Sequence, residues 1–370
     1  MKVKKTARNI LVMIIFLSIC FTVGIGLGVA LAYLRDGDFS LKGIIVMLLL
    51  ALAAYFLNIV MHEAGHLLMG LLTGYRFLSF RIFSWILIRD ENGRYHINSF
   101  NIPGTLGQCL LIPPELDENG HMPYVLYNLG GIMVNFIIAS VSAAIFFLTP
   151  ISGTARIFIA LLGFVGLFIG IENAIPLGAL GINNDGANMV SLSKSPRVVK
   201  ALWKQLMINA YQTQGYLFQQ MPDEFFEMPT IEEMSDRLIS AEAVFIENRE
   251  METMDHEKTL DTLDFLLDTA GIDMIDIYRV TLESDRILVR LLLGKPVTVD
   301  KSFRKSLRQF SVLPNVLVTR YAVARLVDGD LKESQKLRKQ FDAVIRKYPF
   351  RCDRLTLPRY MNEIDKRVNQ

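Results

Sequence analysis

Two histidines and a glutamate carry the clearest chemistry in the chain: His62-Glu63-Ala64-Gly65-His66 lies inside a long apolar run. Residues four apart on a helix share one face, one turn apart, so both imidazoles can reach one metal ion while Glu63 projects toward a metal-bound water. That is the arrangement of zinc hydrolases, in which the metal activates water and a carboxylate handles the proton. A catalytic zinc usually takes three protein ligands and keeps one position open. Two histidines leave the set one short, and His96, His121, Glu172 and Asp185 are the candidates for the third place. Asp185 stands in Asn183-Asn184-Asp185-Gly186, which also reads as an ordinary helix-ending turn. The bland alternative for His62, Glu63 and His66 is a buried polar cluster that only packs helices, but three ionisable residues within five membrane positions are expensive without a function.

The elements that must position these residues follow from composition. The chain has 370 residues, 51% hydrophobic and 21% charged, with a net charge of +2 and a mean hydropathy of +0.33. Charge is unevenly spread: 11 of the 39 basic and 10 of the 37 acidic residues fall in positions 1–192. The first half therefore reads as membrane and the second as water-soluble, mainly α throughout. Neither half has the basic stripe that nucleic acid requires. Cys20, Cys109 and Cys352 lie far apart, so neither a disulfide framework nor a thiolate zinc site is indicated.

A helix crosses a bilayer in roughly 20 apolar residues, and about four stretches qualify: 9–34, 43–72, 124–148 and 157–180. The first follows Lys2, Lys4, Lys5 and Arg8 and is too long for a signal-peptide core, so it reads as a retained span. Basic residues of short loops favour the cytoplasmic side. Those at the amino terminus, Arg76, Arg81, Arg89 and Arg94, and Lys194, Arg197, Lys200 and Lys204 oppose Arg35, Lys42 and Arg156. The amino terminus, the 74–122 segment and the carboxyl half are thus expected in the cytoplasm of a multi-pass protein, with a bacterial plasma membrane favoured.

Between the second and third spans, 77–88 and 94–100 flank Asn92-Gly93 and predict one small β-hairpin at the membrane interface, with Gly104, Gly107, Pro113 and Pro114 marking an irregular loop after it. The hairpin offers an edge on which an unwound substrate strand could pair. Gly130-Gly131 permits close helix packing, and Asn135 either orients a substrate backbone or bonds across helices. From Lys194 onward the pattern is helical. Thr230 and Glu233 form a capping box before a periodic run to Phe245, and further amphipathic runs cover 256–269, 273–293, 299–311, 315–327 and 331–347, stopped by Gly271, Gly294 and Gly329. These predict a helical-hairpin domain, loosely TPR-like, with a groove for a protein partner or simply a compact bundle. His256, alone in a charged stretch, is expected to be solvated.

The chain resembles the site-2 protease class of intramembrane zinc metalloproteases, the M50 peptidases. His62-Glu63-Ala64-Gly65-His66 matches the zinc motif of that family; Gly130-Gly131 with Asn135 resembles its glycine-rich segment; Asn173, Pro176, Asp185 and Gly186 resemble its Asn-Pro…Asp-Gly motif. The resemblance covers roughly residues 40–195. It implies His62, His66 and Asp185 as Zn2+ ligands and Glu63 as general base. The expected organisation is an N-terminal transmembrane helix (1–40), an intramembrane metalloprotease core (41–195) and a cytosolic α-helical domain (196–370). The expected function is zinc-dependent hydrolysis of peptide bonds in or near transmembrane segments of membrane-anchored substrates, either regulatory proteins or signal-peptide remnants. The alternatives are an inactive metal-binding scaffold that recruits partners through its helical domain, and a metal or solute transporter.

Overall fold

The computed structural model describes residues 24, 28, 40–89, 93–99, 106–176, 178–179 and 182–368. The expected span at 9–34 lies outside the described residues. The described part is mainly helical, with a small antiparallel sheet and three helices long and apolar enough to cross a membrane: α1 (Leu41–Leu72), α2 (Tyr124–Leu148) and α3 (Gly153–Ala174). Their apolar side chains face outward. Leu48, Leu49, Leu52, Phe147 and Leu148 are all more than half exposed, a surface that only lipid or a partner would cover without cost. The last span starts and ends earlier than the 157–180 expected, because 178–179 and 182–183 pair as two short strands, β5 and β6.

The chain divides into two compact units, Met1–Asn58 with Asn135–Ile169, and Ile59–Val134 with Gly170–Gln370. In the first, Ala54, Ile157 and Leu161 form a small apolar core. A polar clasp runs through it. Asn58 Nδ2 donates to Ala54 O and to Leu162 O, at 2.9 and 3.1 Å, and Asn135 Nδ2 donates to Asn58 Oδ1 at 3.2 Å. Asn135 is fully buried and thus makes one of the two contacts expected of it, the bond across helices. With no water in a bilayer core, an amide finds its partners on neighbouring helices.

In the second unit the sheet has four strands rather than one hairpin. β1 (Arg76–Ile82), β2 (Trp85–Arg89), β3 (Tyr95–Ser99) and β4 (Gly107–Ile112) lie in the order β3-β2-β1-β4, all antiparallel. The expected turn joins β2 to β3, with Gly93 at φ 77°. The aromatic run read as one strand reverses on itself: Ile82 pairs with Trp85 across Phe83, whose φ of 52° is the sign that tight hairpin turns demand. Of the Gly and Pro residues that mark an irregular loop, Gly107 opens β4 and Pro113 and Pro114 follow it, while Gly104 lies outside the described residues; β4 closes the sheet at one end.

The remaining helices are α4 (Asp185–Leu192), α5 (Pro196–Thr213), α6 (Arg237–Thr253), α7 (His256–Asp268), α8 (Asp276–Leu292), α9 (Lys301–Gln309), α10 (Pro314–Ala322), α11 (Leu331–Ile345) and α12 (Arg351–Val368). Leu282, Leu288, Phe341, Tyr360 and Met361 are buried in a core shared by α6, α7, α8, α10, α11 and α12, with a leucine, phenylalanine or methionine worth roughly 1.5–3 kcal/mol of burial. Gly271, Gly294 and Gly329 take positive φ where helices were expected to stop. The capping box forms, Glu233 N donating to Thr230 Oγ1 at 3.2 Å and Thr230 N to Glu233 Oε2 at 2.9 Å. It starts only a 3-10 turn, however, and Asp236 recaps the chain to begin α6. His256 is paired rather than solvated: its Nε2 lies 2.8 Å from Glu363 Oε1 and its ring sits against Tyr360.

Candidate metal centre

An i, i+4 pair on α1 presents two rings on one face. His62 Nε2 and His66 Nε2 lie 3.1 Å apart. Asp185, the first residue of α4, brings Oδ2 to 3.2 Å from His62 Nε2 and 3.3 Å from His66 Nε2. Among the described residues these three form the only group of at least three His, Cys, Asp or Glu ligand atoms close enough to share an ion. Of the four candidates for a third ligand, the structure brings Asp185 to the histidines. His121 is exposed beside Asp117, His96 is exposed on β3, and Glu172 is exposed on α3.

The donors suit a cation. Ligand atoms about 2.0–2.1 Å from a tetrahedral zinc stand roughly 3.3 Å from one another, which is the spacing found here. His66 Nδ1 lies 2.7 Å from Tyr127 O, so the tautomer donating to that carbonyl leaves the Nε2 lone pair facing the other donors. Asp185 Oδ2 is buried without a hydrogen-bond partner. Lone pairs converging this closely repel unless positive charge lies between them. His62, Glu63 and His66 are each less than a tenth exposed.

Several residues hold these three side chains in place. A Cβ on Gly131 would stand 2.5 Å from His62 Cε1 and 2.6 Å from His66 Nε2, so α2 passes the two rings only because that position is glycine. Asn184 caps α4, accepting from Ala187 N at 3.0 Å. Its amide also donates to Glu172 O at 2.6 Å and Ile175 O at 2.7 Å, tying the carboxylate's helix to the end of α3. A Cβ on Gly186 would meet Ala174 O at 2.5 Å. Asn173 and Pro176 sit at the end of α3 and just after it.

Glu63 packs on the first residue of β4: a Cβ on Gly107 would lie 2.4 Å from Glu63 Oε1. Arg81, fully buried, donates to Phe83 O at 2.7 Å and Gly107 O at 3.4 Å. Burial pushes its guanidinium below the usual value and the Glu63 carboxylate pulls it back up. Tyr127 serves twice, since its hydroxyl donates to Cys109 O on β4 at 2.7 Å while its carbonyl faces His66. Sequence reasoning missed Arg81, Gly107, Tyr127 and Asn184 as parts of the site.

No family model, no curated protein and no solved structure matches the chain.

Proposed function

We propose that the chain is a zinc-dependent intramembrane endopeptidase of the site-2 protease type. The observation that carries this reading is the triangle of His62 Nε2, His66 Nε2 and Asp185 Oδ2, with edges of 3.1 to 3.3 Å, beside a buried glutamate and on a helix long and apolar enough to cross a membrane. A zinc ion held by His62, His66 and Asp185 would supply Lewis acidity and lower the pKa of its water from 15.7 toward about 7. Glu63 then takes the proton of the attacking water and delivers it to the leaving amine nitrogen. His66 keeps its orientation through Tyr127 O, and Asn184 holds Asp185 in reach.

The substrates are membrane-anchored proteins, regulatory proteins or signal-peptide remnants. A helix in lipid has its backbone groups bonded internally, so cleavage requires a stretch to unwind and pair elsewhere. β4 is a terminal strand of the sheet and begins against Glu63, which favours it over the 77–100 hairpin as the strand that receives substrate. The protein is multi-pass, in a bacterial plasma membrane, with its amino terminus and helical carboxyl part (196–370) cytoplasmic. The short-loop basic residues support this orientation, though Arg81, being buried, leaves that tally. A helical-hairpin surface in the carboxyl part would engage a protein partner.

The test measures zinc stoichiometry and cleavage of a membrane-anchored reporter for the parent, Glu63→Gln and Asp185→Ala. An endopeptidase gives cleavage in the parent, metal without cleavage in Glu63→Gln, and weakened metal in Asp185→Ala. A zinc-loaded parent that cleaves no membrane-anchored reporter would instead favour a metal-binding scaffold.

A further inference from the structure

Arg81 has no role in the mechanism above, yet its setting is costly. A guanidinium with no solvent exposure keeps its charge, and burying one is expensive unless its surroundings answer it. Two of the carbonyls it donates to are informative. One belongs to Phe83, a non-glycine residue at φ 52° in the turn between β1 and β2, a conformation that a side chain with a Cβ adopts only when its surroundings impose it. The other belongs to Gly107, whose backbone lies directly against the Glu63 carboxylate. Arg81 thus joins a strained turn and the start of β4, and the Glu63 carboxylate packs against the same glycine that Arg81 holds.

We propose that Arg81 is a positioning residue for the general base: its forked guanidinium fixes Phe83 and Gly107 by their carbonyls, and its positive charge draws the Glu63 carboxylate onto the Gly107 backbone. This inference rests on the endopeptidase reading. Gly107 is part of the same device, because any side chain there would occupy the space of Glu63 Oε1. The role is electrostatic and geometric; neither water nor peptide need touch Arg81.

The experiment compares the full-length parent with Arg81→Met and Arg81→Lys, reading zinc content, kcat and KM on the membrane-anchored reporter, together with a melting-temperature cycle over Glu63→Gln, Arg81→Met and the double variant. Arg81→Met is expected to keep its zinc and its KM within threefold and to lose roughly 10- to 100-fold in kcat. Arg81→Lys, which keeps the charge, recovers most of that loss. In the cycle, Arg81→Met lowers the melting temperature less when Glu63 is already glutamine, because the pair is already broken. Additive shifts, an unchanged kcat in Arg81→Met, or a kcat loss matched by lost zinc would overturn the inference. Should Arg81→Met fail to accumulate, Arg81→Lys decides: retained kcat supports the assignment, and a loss beyond tenfold at full zinc content overturns it. A parent with no cleavage would fail the endopeptidase reading instead, and the melting-temperature cycle would still report on the pair.

Discussion

Gly65 and Gly130 meet backbone to backbone: a Cβ built on either would lie 2.3 Å from the carbonyl oxygen of the other. Gly65 is the fourth residue of His62-Glu63-Ala64-Gly65-His66, so the helix that carries both imidazoles is pressed against α2 at the level of the turn that presents them. Gly131, one residue on, gives the rings their space.

Gly130→Ala is therefore expected to force the two backbones apart, costing roughly 1–3 kcal/mol as overpacked cores do and shifting His66 away from Tyr127 O. Zinc titration and thermal unfolding in detergent should both register it. Normal zinc affinity in Gly130→Ala would mean that the helices yield without disturbing the ligands.

Asn184→Ala removes the helix cap and both amide bonds to the end of α3. Loss of a cap costs about 1 kcal/mol, and outer partners of metal ligands are worth roughly 10- to 100-fold in affinity. Competitive chelation should show weaker zinc binding with the fold intact, and Asn184→Asp should recover the cap but not the two donated bonds.

The polar clasp of the first unit is testable apart from catalysis. Asn135→Leu leaves Asn58 Oδ1 without that donor. Interhelical hydrogen bonds of this type average about 0.6 kcal/mol and reach about 1.7, so the melting temperature should fall modestly while zinc content stays. A variant that kept its melting temperature but lost cleavage would assign Asn135 to substrate instead.

The helical part carries a separate pH signature. Asp285 is 4% exposed; Asn315 donates to its Oδ2 at 3.1 Å, while its Oδ1 has no partner. Burial, with Asp353 nearby, pushes its carboxyl up to about 7, and burial does the same to Asp353, with Glu252 adding to it. Glu247 is pushed up as well, by burial and then by Asp285. A raised acid binds its proton more tightly when folded, so this stabilisation is complete below about pH 4 and is lost as pH rises through about 7. Asp285→Asn should flatten the fall in melting temperature between about pH 5 and about pH 8, and stabilise the protein at the upper end by roughly 1–3 kcal/mol. An unchanged slope would show that Asp285 does not carry the effect.

What the amino-acid order made legible was periodic and local. His62 and His66 were readable because a four-residue step on an apolar helix leaves them one face, and the spans at 43–72 and 124–148 because a long apolar run has few other uses. Residues whose meaning depends on a distant partner were not. Arg81 looked like one basic loop residue among four, and nothing local said that it would be buried beside Glu63. Gly107 looked like a turn signal, whereas β4 needs it to let a carboxylate approach. The box at Thr230 and Glu233 formed as written, but Asp236 offered a second cap three residues later and the longer helix started there. Spacing alone leaves Asp185 one of four candidates; the family resemblance singles it out, and the fold carries α4 to the histidines.

Tyr127 links the sheet to the histidine pair through a single rigid residue, its hydroxyl on Cys109 O and its carbonyl on His66. If an incoming strand displaced β4 sideways, the shift would therefore reach the imidazole of His66 through Tyr127. In a cobalt-substituted sample, that motion would change the visible absorption bands of the ion, giving peptide docking an optical signal before any bond is cut.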